Sequence, residues 1–301
     1  MKISVVTAVR NALPWVRETV DSIVSQRDVD LEYIVVDGAS TDGTAEYLRS
    51  RAHEFARFES ASDDGQYHGI AKGLRQTSGE IMGWLNGDDV LLPWTLRLVQ
   101  RIFAQHPEIQ WITGMPAFMN DRSECFLVNP VAASYPRQYI ANGWYREGLL
   151  GYLMQEAMFW RRSLWEQAGG LDLRYSLAAD FALWRQFARH AELTAVATPL
   201  SAFRIRGVEN RSRQGTHYRD EVDRCCASAP RPPAWWRALA RLGKPGQAIL
   251  RMLLWAKTPV IAHSLEDRDW QLVRCWRPVS RADIPRLMLE RHLRRRSAVQ
   301  A

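Results

Sequence analysis

Short apolar runs alternate with amphipathic stretches through the first 114 residues. Ile3 to Val9 (ISVVTAV) is almost wholly apolar and β-branched, the pattern of a buried parallel strand. From Pro14 the period changes. Val16, Val20, Ile23 and Val24 share one helical face, with Pro14 suited to the first turn. Leu31 to Val36 predicts a second strand that runs into the turn-rich Asp37-Gly-Ala-Ser-Thr-Asp-Gly43, where Ser40, Thr41 or Asp42 can cap a helix over Ala45–Arg51. The reading continues with a short strand at Arg57–Ser60 and a helix at Tyr67–Gln76. A strand at Glu80–Leu85 then ends on Asn86-Gly-Asp-Asp89, followed by a helix from Pro93 to Gln105 and a strand at Gln110–Gly114. Such alternation predicts an α/β fold built on a doubly wound sheet.

Beyond residue 114 the pattern is less regular. Ala133 to Leu153 is rich in aromatics and glycine and reads as loops or short helices. Phe159–Ala168 reads as a helix stopped by Gly169-Gly170, Ala179–Ala191 as an amphipathic helix, and Leu193–Ala197 as a strand. Arg204 to Gly215 reads as a basic loop, and Pro230–Pro233 as a boundary followed by broken helices. The expected division is therefore 1–230 as a catalytic domain and 231–301 as a helical C-terminal extension.

Charge separates these two parts. The chain carries +7 overall, but residues 1–230 are net −3 and residues 231–301 net +10, with five of the 13 tryptophans in the latter. Apolar residues at 47% and charged residues at 24% fit a globular protein rather than a disordered one. No apolar stretch approaches the roughly 18 residues of a membrane span, and the start lacks a signal-peptide pattern. Cys125, Cys225, Cys226 and Cys275 form no C-x-x-C pair. These features predict reduced thiols and a cytoplasmic location.

Ligands of open α/β sheets bind at the carboxyl ends of the strands, and two of those ends carry acids: Asp37, and the pair Asp88 and Asp89. Adjacent carboxylates are hard oxygen donors for Mg²⁺ or Mn²⁺ beside a diphosphate, or alternatively plain turn residues. Asp180 falls in the first turn of its helix, where the dipole favours its charged form. It is a candidate general base or an ordinary helix-start acid. Asp63 and Lys72 could contact a nucleotide. Arg204, Arg206, Arg211 and Arg213 could clamp phosphates or form a solvated loop. His68 and His217 have no metal-ligand context. The absence of G-x-G-x-x-G after the first strand, and of any P-loop, disfavours dehydrogenases and P-loop ATPases.

Six segments in order, ISVVTAVRN, EYIVVDGASTDGT, DDGQYHGIAKGL, GEIMGWLNGDDVL, QEAMFWRRSLWEQAGGLD and AADFALW, resemble the family-2 glycosyltransferases of GT-A fold, especially bacterial enzymes of polysaccharide assembly. The resemblance runs from residue 3 to about residue 185. It implies an inverting transfer of a sugar, of hexosyltransferase type, from a nucleotide-diphosphate donor to a saccharide or lipid-linked saccharide. By the same resemblance Thr7 and Asp37 contact the base, and Asp63 and Lys72 lie near nucleotide and phosphates. Asp88 and Asp89 correspond to the D-x-D region that binds ribose and a divalent cation, Gln155 and Glu156 line the acceptor side, and Asp180 matches the base. Three positions depart from the pattern: Gly38 replaces a second Asp, Asn86 the first acid of D-x-D, and Arg206 falls near a common His close to the metal, where it could replace part of the cation's role at the diphosphate.

The basic, Trp-rich extension predicts peripheral contact with an anionic membrane surface, with Gln247–Ala262 lying on it as a helix. The alternative is an extension packed on the catalytic body with Trp in its core. Basic charge with aromatics also serves nucleic-acid binding, but the excess is confined to the extension, so nucleic acid is disfavoured as a partner. A catalytically inactive relative acting as a membrane- or nucleic-acid-associated binding protein is the competing function. The presence of Asp88, Asp89 and Asp180 weighs against it.

Overall fold

The computed structural model describes residues 1–206 and 217–279. Strands β1 (Lys2–Val9), β2 (Asp30–Asp37), β3 (Arg57–Ser60) and β4 (Ile81–Trp84) lie where the apolar runs predict them. Between them are helices α1 (Trp15–Val24), α2 (Thr44–Ser50) and α3 (Gln66–Arg75). The short β5 (Val90–Leu91) and helix α4 (Thr95–Gln105) lead to β6 (Trp111–Thr113), β7 (Ala117–Met119) and β8 (Cys125–Val128). A loop region with α5 (Arg137–Ala141) precedes β9 (Met158–Arg161) and α6 (Arg162–Ala168). Then come α7 (Ala179–His190), β10 (Leu193–Val196), β11 (Ser201–Arg204) and α8 (His217–Cys225). Helices α9 (Ala234–Arg241) and α10 (Lys244–Leu253) and strands β12 (Trp255–Ser264) and β13 (Asp269–Pro278) complete the described chain.

The main sheet has nine strands in the order β13-β12-β10-β6-β9-β4-β1-β2-β3, and a second sheet runs β5-β11-β7-β8. β1 pairs in parallel with β2 and β4, whereas β9 is antiparallel to both β4 and β6, so the large sheet is mixed. Alternate residues of β1 serve opposite helical layers. Ile3, Val5 and Val9 join Val16, Val20 and Ile23 of α1 and Ile102 and Phe103 of α4 in one core. Val6 and Ala8 join Ile70 and Leu74 of α3 and Leu183, Trp184 and Phe187 of α7 in the other. Trp184 stacks on Trp84 with centroids 5.4 Å apart and meets Trp160 edge-on at 5.7 Å. This cluster fixes α7 against the sheet one turn after Asp180.

Two expectations are corrected. Phe159–Ala168 is not one helix: Met158–Arg161 is a strand buried between β4 and β6, and the helix begins at Arg162. Nor is the extension wholly helical. The helix expected over residues 247–262 ends at Leu253, and Trp255–Ser264 pairs with Asp269–Pro278 as a hairpin that joins the nine-stranded sheet through β10. The physical cause lies in Thr258-Pro-Val-Ile261, where β-branched residues favour a strand and Pro259 opposes helix. Of the extension's tryptophans, Trp236 is buried against Tyr139 and Trp144, while Trp235, Trp255 and Trp276 are exposed. All four cysteines carry free thiols. Among the described residues no helix is long and apolar enough to cross a membrane.

Candidate active site

The turn Asn86–Asp89 after β4 gathers the site. Its two acids face different surroundings. The Asp89 side chain is fully buried, with Oδ1 accepting from the Arg204 backbone N–H at 2.9 Å and Oδ2 from the Asn86 amide at 3.4 Å. Burial pushes its carboxyl well above the usual range, and the charges of Asp88 and Glu156 push the same way. Asp88 instead pairs through Oδ2 with the Arg206 guanidinium at 2.8 Å.

Asn86 occupies the centre of a polar relay. Its Oδ1 accepts from Gln66 Nε2 at 2.8 Å, its Nδ2 donates to Gln155 Oε1 at 3.0 Å, and Gln155 Nε2 donates to the Trp84 carbonyl at 2.7 Å. An aspartate at position 86 could not donate, and it would add a carboxylate beside Asp88, Asp89 and Glu156. The departure from D-x-D thus has a local electrostatic reason.

Glu156 is buried within reach of the charges of Asp88 and Asp180. Desolvation raises its carboxyl to about 8, its own backbone N–H opposes that rise, and the charges of Asp88 and Asp180 add to it. Asp180 opens α7. Its Oδ1 accepts from the Phe181 N–H at 2.7 Å, and the Tyr67 hydroxyl stands near the same carboxylate while donating to the Leu177 carbonyl at 3.4 Å. Burial still lifts the Asp180 carboxyl above the ordinary aspartate value. No side chain within α7 caps it. Instead Glu221 on α8 accepts from the backbone N–H groups of Ser176, Leu177 and Ala178 at 3.0, 2.8 and 2.9 Å, and from the Ser176 hydroxyl at 2.7 Å.

The other predicted residues line the carboxyl ends of β1 to β3. Thr7 is buried, and its hydroxyl accepts from Tyr33 at 3.0 Å. The Asp37 carboxylate accepts from the Ser40 N–H and hydroxyl and from the Ser60 hydroxyl at 2.6 Å. Asp63 accepts from the Gly65 N–H at 3.0 Å. A Cβ at Gly38 would come within 3.2 Å of the Asp63 carboxylate, and one at Gly69 within 3.0 Å. A second aspartate at position 38 would therefore crowd Asp63, which supplies negative charge there. Lys72 pairs with Glu59 on β3.

Arg204 corrects the basic-loop expectation. It lies in β11, fully buried over the Trp15 ring. Its guanidinium donates to the Asp88 carbonyl at 2.7 Å and the Asn120 carbonyl at 3.1 Å, and pairs with Glu18 at 2.5 Å. It braces the acidic turn through contacts with the protein. Arg211 and Arg213 lie outside the described residues. Sequence reasoning missed Asn86's relay partner Gln66, and also Tyr67 and Glu221. Each acts through contacts distant along the chain.

A divalent cation fits this donor set in one way. Asp88 offers a hard-oxygen carboxylate, whereas Asp89 is buried and engaged. Among the described residues no group of three or more His, Cys, Asp or Glu is arranged to hold an ion. Mg²⁺ and Mn²⁺ are commonly held by one or two carboxylates together with substrate phosphates, so the fit is to Asp88 plus a diphosphate.

Strand-end acids and a helix-borne carboxylate are thus gathered on a mixed α/β sheet, and the fold is that of the GT-A class. Residues 4–167 match the profile described as Glycosyl transferase family 2, and the chain belongs to that family. It is 28% identical over 215 residues to an uncharacterized glycosyltransferase of Mycobacterium tuberculosis, covering 68% of this chain and 76% of that protein. It is 27% identical over 123 residues to the poly-β-1,6-N-acetyl-D-glucosamine synthase of Staphylococcus epidermidis, covering 40% of this chain and 30% of the synthase. Its fold is similar to that of S. aureus TarS (residues 1–349) in complex with UDP-GlcNAc, with a TM-score of 0.57, 15% identity, and coverage of 84% of this chain and 71% of TarS.

Proposed function

We propose that this glycosyltransferase transfers a hexose, with inversion, from a nucleotide-diphosphate sugar to a saccharide or lipid-linked saccharide during cell-surface polysaccharide synthesis. The observation that carries the reading is the Arg206–Asp88 pair at 2.8 Å after β4, with the buried Glu156 near enough to Asp88 and Asp180 to feel both charges. These groups give the site a cationic leaving-group side and a base. In this reading the nucleotide lies over the ends of β1 to β3, near Thr7, Asp37, Asp63 and Lys72. Its diphosphate meets Arg206 and Asp88. Gln155 and Glu156 face the acceptor.

Asp180 takes the proton of an acceptor hydroxyl as that oxygen attacks the anomeric carbon. The bond from that carbon to the donor's diphosphate oxygen breaks, and the leaving group departs with the electron pair. Arg206 stabilises the charge that develops there. A divalent cation at Asp88 would supply further charge neutralisation when bound. The fully buried Asp89 shapes the turn that presents Asp88.

Direct displacement predicts a product whose anomeric configuration is opposite to the donor's. NMR of the isolated product tests this, and retained configuration would contradict it. Chelation of Mn²⁺ and Mg²⁺ is predicted to lower turnover by about 10²-fold, with recovery on adding either ion back. Turnover unaffected by chelator would remove the cation from the account and leave Arg206 as the leaving-group partner. The Trp255, Trp276, Met252 and Leu253 side chains, exposed at the junction of α10 and the hairpin, support peripheral contact with a membrane. Flotation with anionic vesicles checks this, and equal flotation of the wild type and a Trp255→Ser/Trp276→Ser variant, at two exposed positions, would contradict it.

A further inference from the structure

A second charged cleft lies behind the start of α7. It has a volume of about 500 Å³ between the loop after α5, α8, and the segment leading into α9. Five arginines and two acids line it. Arg146 pairs with Asp223 at 3.0 Å and Arg219 with Glu147 at 2.9 Å. Both acids are therefore engaged, and the remaining Arg231, Arg237 and Arg241 have no carboxylate partner among the described residues. The Nε of Arg237 is buried with no hydrogen-bond partner. A buried guanidinium N–H without an acceptor is costly, and unneutralised arginines sharing a cleft repel one another. The repulsion falls when an oxyanion enters, since guanidinium groups bind phosphate with directional, charge-assisted bonds.

The cleft adjoins the chemistry. Val222, in its wall, packs in one cluster with Ala178 and Phe181, which flank Asp180, and Tyr218 of the same wall packs against that cluster. The indole N–H of Trp144 donates to the Pro230 carbonyl at 3.0 Å and ties the Arg231 segment to this side of the molecule. An anion held here would therefore be separated from the start of α7 by one packed cluster, and no residue of β1, β2 or β3 lines the cleft.

We infer that this arginine cleft binds the phosphate or diphosphate group of the acceptor substrate. The inference rests on the proposed transferase reading and narrows its acceptor to a phosphorylated one. Two sources share this chemistry: a prenyl diphosphate carrier and a water-soluble sugar phosphate.

The test is calorimetric titration of the full-length protein with inorganic pyrophosphate while the donor site is saturated with nucleoside diphosphate. Wild type is expected to bind pyrophosphate saturably, and Arg237→Gln to weaken binding by about tenfold or more. Arg237 is half-buried, so Arg231→Gln/Arg241→Gln, at two exposed positions, provides a second variant with the same expectation and intact donor hydrolysis. Farnesyl diphosphate binding more tightly than pyrophosphate would identify the lipid carrier. Glucose 1-phosphate binding more tightly than inorganic phosphate would identify the soluble source. Either preference must be lost in both variants to support the cleft. Flat pyrophosphate titrations, or equal affinity in wild type and variants, would overturn the inference while donor hydrolysis persists. Phosphatidylglycerol vesicles that float all three proteins equally, with no pyrophosphate binding, would assign the charge to a membrane surface and also overturn it. Absence of donor binding and hydrolysis in wild type would instead overturn the transferase reading on which the inference depends.

Discussion

Replacing Asp180 with asparagine is expected to lower sugar transfer by about 10²–10⁴-fold, the usual cost of losing a positioned base, with donor binding unchanged. Asparagine keeps the size of the side chain and can still accept from the Phe181 N–H that now holds the carboxylate. The Trp84–Trp184 stack keeps α7 in place. What is lost is the ability to take a proton. The pH profile distinguishes this from misplacement. Only ionised Asp180 can act, and burial raises its pKa above the ordinary aspartate value. The wild-type rate should therefore fall, as pH is lowered, at a higher pH than an exposed aspartate would give. That acid limb should be missing from the residual rate of the variant. Transfer within about twofold of wild type, or an unchanged acid limb, would remove Asp180 from the base role.

Glu221→Ala is expected to destabilise the protein by about 2–4 kcal/mol, because it strips a charged acceptor from three backbone N–H groups and a hydroxyl at the entry to α7. Transfer should fall as well, since the Ser176–Ala178 segment sets where Asp180 stands, while donor binding at the far side of the site should hold. The hydrogen bonds outweigh desolvation and depress the Glu221 pKa in the folded protein. The sign of the pH effect follows. A carboxyl whose folded pKa lies below its unfolded one contributes its full stability above the unfolded value, about 4.5. That contribution is lost as pH falls through the depressed folded value. Denaturant unfolding of wild type and Glu221→Gln should thus show the largest gap near neutrality, converging at the acid end. A gap independent of pH would contradict the ion–dipole account of this contact.

The alternating half of the fold is legible because β1 and β2 are β-branched runs, β4 is a short apolar run that ends on Asn86-Gly-Asp-Asp89, and α1, α3 and α7 each carry an apolar face. β9 was obscured by its burial. Met158-Phe-Trp-Arg161 shows no period-2 alternation and runs directly into α6, so the two read as one helix. The hairpin of the extension was masked in the same way by the apolar end of α10. In the site, the acids were legible because strand ends and helix starts are local features. Their roles were not. Asp88 and Asp89 are neighbours in sequence, yet one faces Arg206 and the other is sealed beneath Arg204, and only the return of β11 beside β5 decides which. Arg204 looked like a loop charge because nothing near it in sequence announces Glu18 or Asn120. Glu221 reaches Leu177 across 44 residues, a contact that periodicity cannot reveal.

The measurement that tests the central claim most directly is a nucleotide-sugar panel read by thermal shift and donor hydrolysis, on wild type and Asp88→Ala. Asp88 is the better probe of the pair, since removing the buried Asp89 would also disturb the turn. The account predicts that one donor stabilises and is hydrolysed by the wild type, and that Asp88→Ala weakens both responses while the protein stays folded. A wild-type protein that no nucleotide sugar stabilises, or equal responses from wild type and Asp88→Ala, would contradict a donor site at the end of β4.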